Sequence, residues 1–320
     1  MNFSPAYHLR TNKAVERLLF IELLHRLDRA LLKTRSKPIE NYVYVGLGGP
    51  YLEDFNLIHA TFGNRKMISL EEKKHILTRQ ALNQPYSRIT LTDRSTRDYV
   101  DALRLARSPL IVWFDYESPK WKDQLTEFCD LIQKVPAMSI LKITLTGSTR
   151  KLNGRNITEK AEAFTKVFED YGNFSSVDIK PERICDTLQI ICRKAIADSA
   201  PDTRMRCVRS LSCYRYNDGT PVLTITMIVG VLARVELLIE EIAKWPFADT
   251  QWGKPKELAV PALSLREKLA VDQLLPDAQA RTVINKLGLR FADRYEDSIA
   301  VMANYVQLYR HVPHFVRVTL

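Results

Sequence analysis

The chain has 320 residues, 46% of them apolar and 26% charged, which fits a globular protein and excludes a disordered or fibrous one. Its 47 Lys and Arg against 37 Asp and Glu give a net charge of +10, which can attract nucleic acid, nucleotide or another polyanion, or reads simply as a solvated surface with a basic bias. No apolar run approaches the roughly 20 residues of a membrane-spanning helix.

The opening residues, Met1-Asn-Phe-Ser-Pro-Ala-Tyr7, lack a basic-then-apolar export signal, so a cytoplasmic protein is expected. The five cysteines (Cys129, Cys185, Cys192, Cys207, Cys213) are odd in number and lack CxxC spacing. They read as reduced thiols, not as a disulfide frame or a zinc site. No His/Asp/Glu cluster has metal-ligand spacing, and no metal is expected.

In chain order, residues 12–33 carry a broad apolar stripe at helical spacing and predict an amphipathic helix. Ser36-Lys-Pro38 ends it, because the residue before a proline resists helical geometry. Strands and helices then alternate. Strands are predicted at 42–45, 66–70, 88–92, 110–114 and 140–146. Helices are predicted at 52–59, 72–83, 96–106 and 121–133. Near-continuous apolar strands in such βαβ alternation indicate a buried parallel sheet with helices on both faces. Residues 150–205 break the alternation and read as a helical insertion. Asn217-Asp-Gly219 then sits between two strand-like runs and predicts a β-hairpin. Residues 236–320 read as a helical C-terminal extension after a sheet domain spanning 1–235.

The densest signal lies in Asn41-Tyr-Val-Tyr-Val-Gly-Leu-Gly-Gly-Pro-Tyr51. A short buried strand runs into a glycine turn that opens a helix. Gly46, Gly48 and Gly49 lack the Cβ that would keep a ligand from the backbone. Behind them a helix N-terminus offers N–H groups and the positive end of a dipole. Glu71 ends the next strand, 23 residues after Gly48. A glycine turn followed by an acid at that distance is the layout of a nucleotide-type site, with the acid on the ribose hydroxyls. Five parallel strands closed by an antiparallel hairpin is the arrangement of class I S-adenosylmethionine (SAM) methyltransferases. A dinucleotide-binding Rossmann domain more often continues with another βαβ unit, so the hairpin favours SAM over NAD.

The chain also resembles, from end to end, a bacterial family labelled putative O-methyltransferase. The resemblance rests on Tyr7-His-Leu-Arg-Thr-Asn-Lys-Ala-Val-Glu-Arg17, Tyr44-Val-Gly-Leu-Gly-Gly-Pro-Tyr-Leu-Glu-Asp-Phe55 and Met67-Ile-Ser-Leu-Glu71. It continues in Trp113-Phe-Asp-Tyr116, Tyr214-Arg-Tyr-Asn-Asp-Gly219, Val260-Pro-Ala-Leu-Ser-Leu-Arg266 and Tyr305-Val-Gln-Leu-Tyr-Arg310. It implies a Rossmann-like seven-stranded sheet and SAM as cofactor; it carries over no substrate.

On that resemblance SAM would lie over Gly46, Gly48, Gly49 and Pro50, with Asp93 near the adenine amine and Glu71 on its ribose; Glu71 reads alternatively as an exposed helix-start carboxylate favoured by the dipole. Gly46, Gly48 and Gly49 have the alternative of serving turn geometry alone. Asp93-Arg-Ser-Thr96 reads equally as a capping run, since Ser95 or Thr96 can cap the next helix. Asp115 and Tyr116 sit at the mouth of the fourth strand, where open α/β sheets bind ligands and where a carboxylate can serve as general base. Lys13 and Arg17, near the start of the first helix, are candidates for the ligand carboxylate or an anionic substrate. A solvated helix start is the plainer alternative.

One departure stands out. The acid that class I enzymes usually carry two positions before the first glycine is replaced by Tyr44. Glu53 and Asp54 are candidate substitutes, or simply partners for a helix N-terminus. The leading expectation is a SAM-dependent methyltransferase, with O-methylation possible and the acceptor unknown. Its rival is a catalytically decayed relative that binds a nucleotide, nucleic acid or protein partner in a larger assembly. A dinucleotide-dependent oxidoreductase is the third option, and the hairpin disfavours it.

Overall fold

The computed structural model describes residues 10–104 and 108–313. It divides into two compact units. The larger comprises residues 21–215 and 219–256, and the smaller comprises 1–20, 216–218 and 257–320.

The larger unit is a βα alternation. Its elements are β1 (Val43–Gly46), α2 (Glu53–Phe62), β2 (Lys66–Leu70), α3 (Lys74–Asn83), β3 (Ile89–Thr92), α4 (Thr96–Ala102), β4 (Leu110–Asp115), α5 (Trp121–Lys134) and β5 (Ser139–Thr146). It continues through α6 (Ile157–Val167), α7 (Ile184–Ser199), β6 (Cys207–Asn217), β7 (Pro221–Gly230) and α8 (Leu232–Ile242). Helix α1 (Thr11–Lys33) begins the chain's described part. The end of the predicted helix at 96–106 falls partly at residues 105 and 106, outside the described residues.

The sheet order is β3-β2-β1-β4-β5-β7-β6-β8, where β8 is Lys256–Leu258. Strands β1 to β5 pair in parallel, and β7 runs antiparallel to β5. The five parallel strands and closing hairpin are those expected from the sequence. The eighth strand is a correction to the expected seven. Three residues are too few to show alternation, so β8 left no sequence signal.

Both faces of the sheet are covered, but they differ in composition. One face presents Val45, Val112, Phe114, Leu141, Ile143, Leu145, Leu223, Ile225, Met227 and Val229 to a continuous apolar cluster. Helices α5 and α7 supply Leu125, Phe128, Ile132, Leu188, Ile191 and Cys192 to it. The 150–205 segment therefore builds core on this face. The other face carries Tyr44, Ser69, Trp113, Asp115, Lys142, Thr144, Thr224 and Thr226, all buried. All five cysteines are free and buried. No described helix is long and apolar enough to cross a membrane.

The smaller unit contains α9 (Leu265–Asp272), α10 (Ala280–Leu287) and α11 (Tyr295–Leu308). Val283, Ile284, Met302 and Leu308 form its buried apolar contacts. Lys268 donates to Asp272 at 2.6 Å, and the Tyr305 hydroxyl donates to the other Asp272 oxygen at 2.6 Å. That shared carboxylate ties α9 to α11. Asn12 donates to Asp218 at 2.9 Å and accepts from the Val260 N–H at 3.0 Å.

Candidate functional site

Strand β1 ends at Gly46 and enters a turn in which both Gly49 (φ 52°) and Leu52 (φ 54°) are left-handed. Glycine takes that conformation freely, whereas a leucine there costs roughly 1–2 kcal/mol. The strain is held by a network from α3. Gln80 donates to the Gly49 carbonyl at 2.8 Å, and Asn83 donates to the Pro50 carbonyl at 2.8 Å. Ser69 in β2 donates to the Gln80 side-chain oxygen at 3.1 Å. The Leu52 N–H closes the turn onto the Gly48 carbonyl at 2.9 Å. Gln80 and Asn83 are site-shaping residues that the sequence did not single out. An amide pair on a helix carries no signal distinguishing it from a solvated face.

The glycines are also crowded by the protein itself. A Cβ at Gly48 would stand 2.3 Å from the Leu52 side chain and 2.9 Å from Ser69 Oγ. One at Gly46 would stand 2.9 Å from the Tyr44 hydroxyl. Tyr44 thus lies along its own strand over Gly46, and its ring meets Phe55 of α2 edge-on at 4.8 Å. Asp54 is buried and Glu53 half-buried in the first turn of α2, beside the positive end of its dipole.

Glu71 follows β2 directly and is half-buried. Parallel pairing of Gly46 with Ser69 brings the end of β2 alongside the glycine turn. The Glu71 carboxylate accepts from the Lys73 N–H at 2.8 Å. Burial raises its pKa above the ordinary 4.5, partly offset by that N–H and by the Lys73 charge. A half-buried carboxylate beside a glycine turn has the acceptor chemistry for the hydroxyls of a ribose diol.

Asp93, just past β3, is exposed. Ser95 caps α4 in a reciprocal box with Asp98, so Asp93 itself is not the cap.

Asp115 and Tyr116 point to opposite faces of the sheet. Asp115 is the buried last residue of β4, paired with Thr144. It shares a face with Trp113, two residues earlier. Trp113 donates from Nε1 to Thr144 Oγ1 at 3.0 Å, and the Lys142 ammonium sits 3.4 Å from the centre of its ring. Tyr116 instead packs on the apolar cluster and donates to Glu127 of α5 at 2.5 Å. Burial, then the Glu127 charge, pushes the Tyr116 phenol well above its ordinary range. Lys13 and Arg17 are buried residues of the smaller unit; the Lys13 N–H donates to Asp218 at 3.1 Å.

The strand order, the hairpin and the glycine turn beside Glu71 together define a Rossmann-like fold of the class I methyltransferase type. A family model described as putative O-methyltransferase matches residues 5–320, and the chain belongs to that family. No curated protein matches the sequence. Similar solved structures include an rRNA methylase from Streptococcus thermophilus, 10% identical, covering 60% of this chain and 88% of that one at a TM-score of 0.34. A probable spermidine synthase from Corynebacterium glutamicum is 11% identical over 77% of this chain and 82% of its own, at 0.36. Precorrin-6y C5,15-methyltransferase from Geobacter metallireducens is 11% identical over 63% and 87%, at 0.33. At these scores the description of the fold rests on the strand order alone.

Proposed function

We propose that the protein is a SAM-dependent methyltransferase whose cofactor binds where the glycine turn meets Glu71. The observation carrying this is their adjacency: β1 and β2 run parallel in register, and they lead directly into the glycine turn and into Glu71. SAM supplies an electrophilic methyl group on a sulfonium. Glu71 accepts hydrogen bonds from the ribose hydroxyls. Gly49 and Pro50, held by Gln80 and Asn83, fix the turn against the ligand. Asp93, exposed past β3, lies at the strand end expected to face the adenine. Asp115, the last residue of β4, would hold and take the proton of a methyl acceptor. Positioning supplies much of the rest, because the transfer is an in-line displacement. Tyr116, committed to Glu127, supports the β4 end from the opposite face.

Photo-crosslinking with methyl-labelled SAM tests the location. Label is expected in peptides spanning 44–53 and 67–73. Label confined to other peptides would contradict the assignment.

A second reading has one observation in its favour. Tyr44 replaces the usual acid and its hydroxyl covers Gly46. A chain that binds nucleotide without turning it over fits that replacement. Tyr44→Asp restoring or strengthening SAM affinity would favour this rival; weaker affinity in that variant would favour a tyrosine that works as it stands.

A further inference from the structure

The unit that holds the sheet has a second cleft away from the glycine turn. It measures about 580 Å³ and lies between the outer face of α7 and residues 252–255. That volume suits a nucleotide-sized group. Its charge is organised around a single carboxylate. Asp186 faces Arg215 at 3.3 Å, Lys254 at 3.5 Å and Arg183 at 3.7 Å. Of these, Arg183 and Lys254 line the cleft with Asp186, so the lining is net positive. Arg193 and Lys194 line the same cleft and add two more cations. Lys194 donates to the Tyr171 carbonyl at 3.2 Å, while Arg193 makes no ion pair among the described residues.

The aromatic wall is Trp252. Its φ of 56° is left-handed, an outlier for a bulky side chain that persists only where surrounding structure enforces it. Here the enforcement is explicit. Asp249 accepts from the Gly253 N–H at 2.9 Å and from the Gln251 N–H at 3.3 Å, and Gln189 of α7 donates to the Trp252 carbonyl at 3.1 Å. Backbone strain of this kind clusters at active sites and ligand clamps. An indole fixed beside surplus guanidinium and ammonium groups matches one ligand chemistry closely. The cations take backbone phosphates and the indole stacks an unpaired base.

We propose that this cleft binds single-stranded nucleic acid, with Arg193 and Lys254 on phosphate and Trp252 on a base. The site is separate from the glycine turn and does not depend on the cofactor assignment. A paired duplex hides its base faces, so it gains only the phosphate contacts.

The test is fluorescence anisotropy of the full chain with labelled single-stranded RNA, the same sequence as single-stranded DNA, and the duplex, over a salt series. Single strands of either sugar bound more tightly than duplex support the proposal, and the difference between them identifies the preferred sugar. Arg193→Gln with Lys254→Gln is expected to weaken binding about ten-fold and to flatten the salt slope by about 1.4, for two lost phosphate contacts. Trp252→Leu is expected to weaken binding at unchanged slope. Because Trp252 also packs on the core, the exposed Gln pair carries the test if that variant misfolds. The control is Arg65→Gln with Lys66→Gln, two exposed cations at the start of β2. Equal losses in control and cleft pairs would reduce the effect to diffuse surface charge and overturn the proposal. So would no single-strand binding, or duplex bound as tightly as single strands.

Discussion

The two faces of the sheet are both buried, yet they are built for different ends. The apolar face is Val, Leu, Ile, Met and Phe against α5 and α7, and its few polar atoms, such as the Tyr116 hydroxyl, are bonded at its margin. The opposite face buries a tryptophan, a lysine, an aspartate and several threonines along β4, β5 and β7. Burying polar groups is costly unless each is satisfied, so a fold keeps such a face only where those groups are used or mutually bonded. Trp113 and Thr144 meet the second condition by their hydrogen bond, and the Lys142 ammonium lies against the Trp113 ring. The contrast teaches that one side of this sheet is stabilised by apolar packing alone, while the other buries polar groups that must find partners within it.

Breaking the apolar face should have the largest effect. Phe114→Ala removes a wholly buried ring and is expected to cost about 3–5 kcal/mol, read as a shift in the urea midpoint. A smaller loss there would mean the core is looser than its burial indicates. On the polar face, Thr144→Val leaves the buried Trp113 N–H without its acceptor. That change should cost about 1–3 kcal/mol in the same assay. Ser95→Ala removes a cap remote from both, and about 1 kcal/mol is expected.

Glu71 sharpens the comparison through pH. Its folded pKa is raised by burial, so the folded state prefers the protonated form. That contribution to stability is fully present below the unfolded value, near 4.5, and is lost as pH rises through the folded value. Wild type should therefore lose stability relative to Glu71→Gln over that rise. A reversed trend would mean the carboxylate is better paired than solvated. The effect should be the smallest of the four, because the group is half exposed to solvent.

Much of the larger unit was legible because its strands are buried on both faces. Continuous apolar runs with glycine and Asn-Asp-Gly punctuation leave few alternatives to a parallel sheet closed by a hairpin. Strand β2 matches residue for residue, and α1 and α5 within a residue at their ends. The glycine turn and Glu71 were legible for the same reason, being fixed at strand ends. What escaped was set by tertiary contact. The burial expected for β5 extends to all eight of its residues, but the position of the Lys142 ammonium against the Trp113 ring had no sequence signal. The α3 clamp on the turn and the left-handed Leu52 leave no periodic trace. Tyr116 looked equivalent to its neighbour Asp115, and only strand alternation separates their faces.

The central claim is that the corner formed by the glycine turn and Glu71 holds SAM. Calorimetric titration with SAM and S-adenosylhomocysteine, on wild type and on Glu71→Ala, tests it most directly. The account predicts that wild type binds both and that the variant binds each much more weakly while remaining folded. Absence of binding to either compound, or binding unchanged by the substitution, would contradict it.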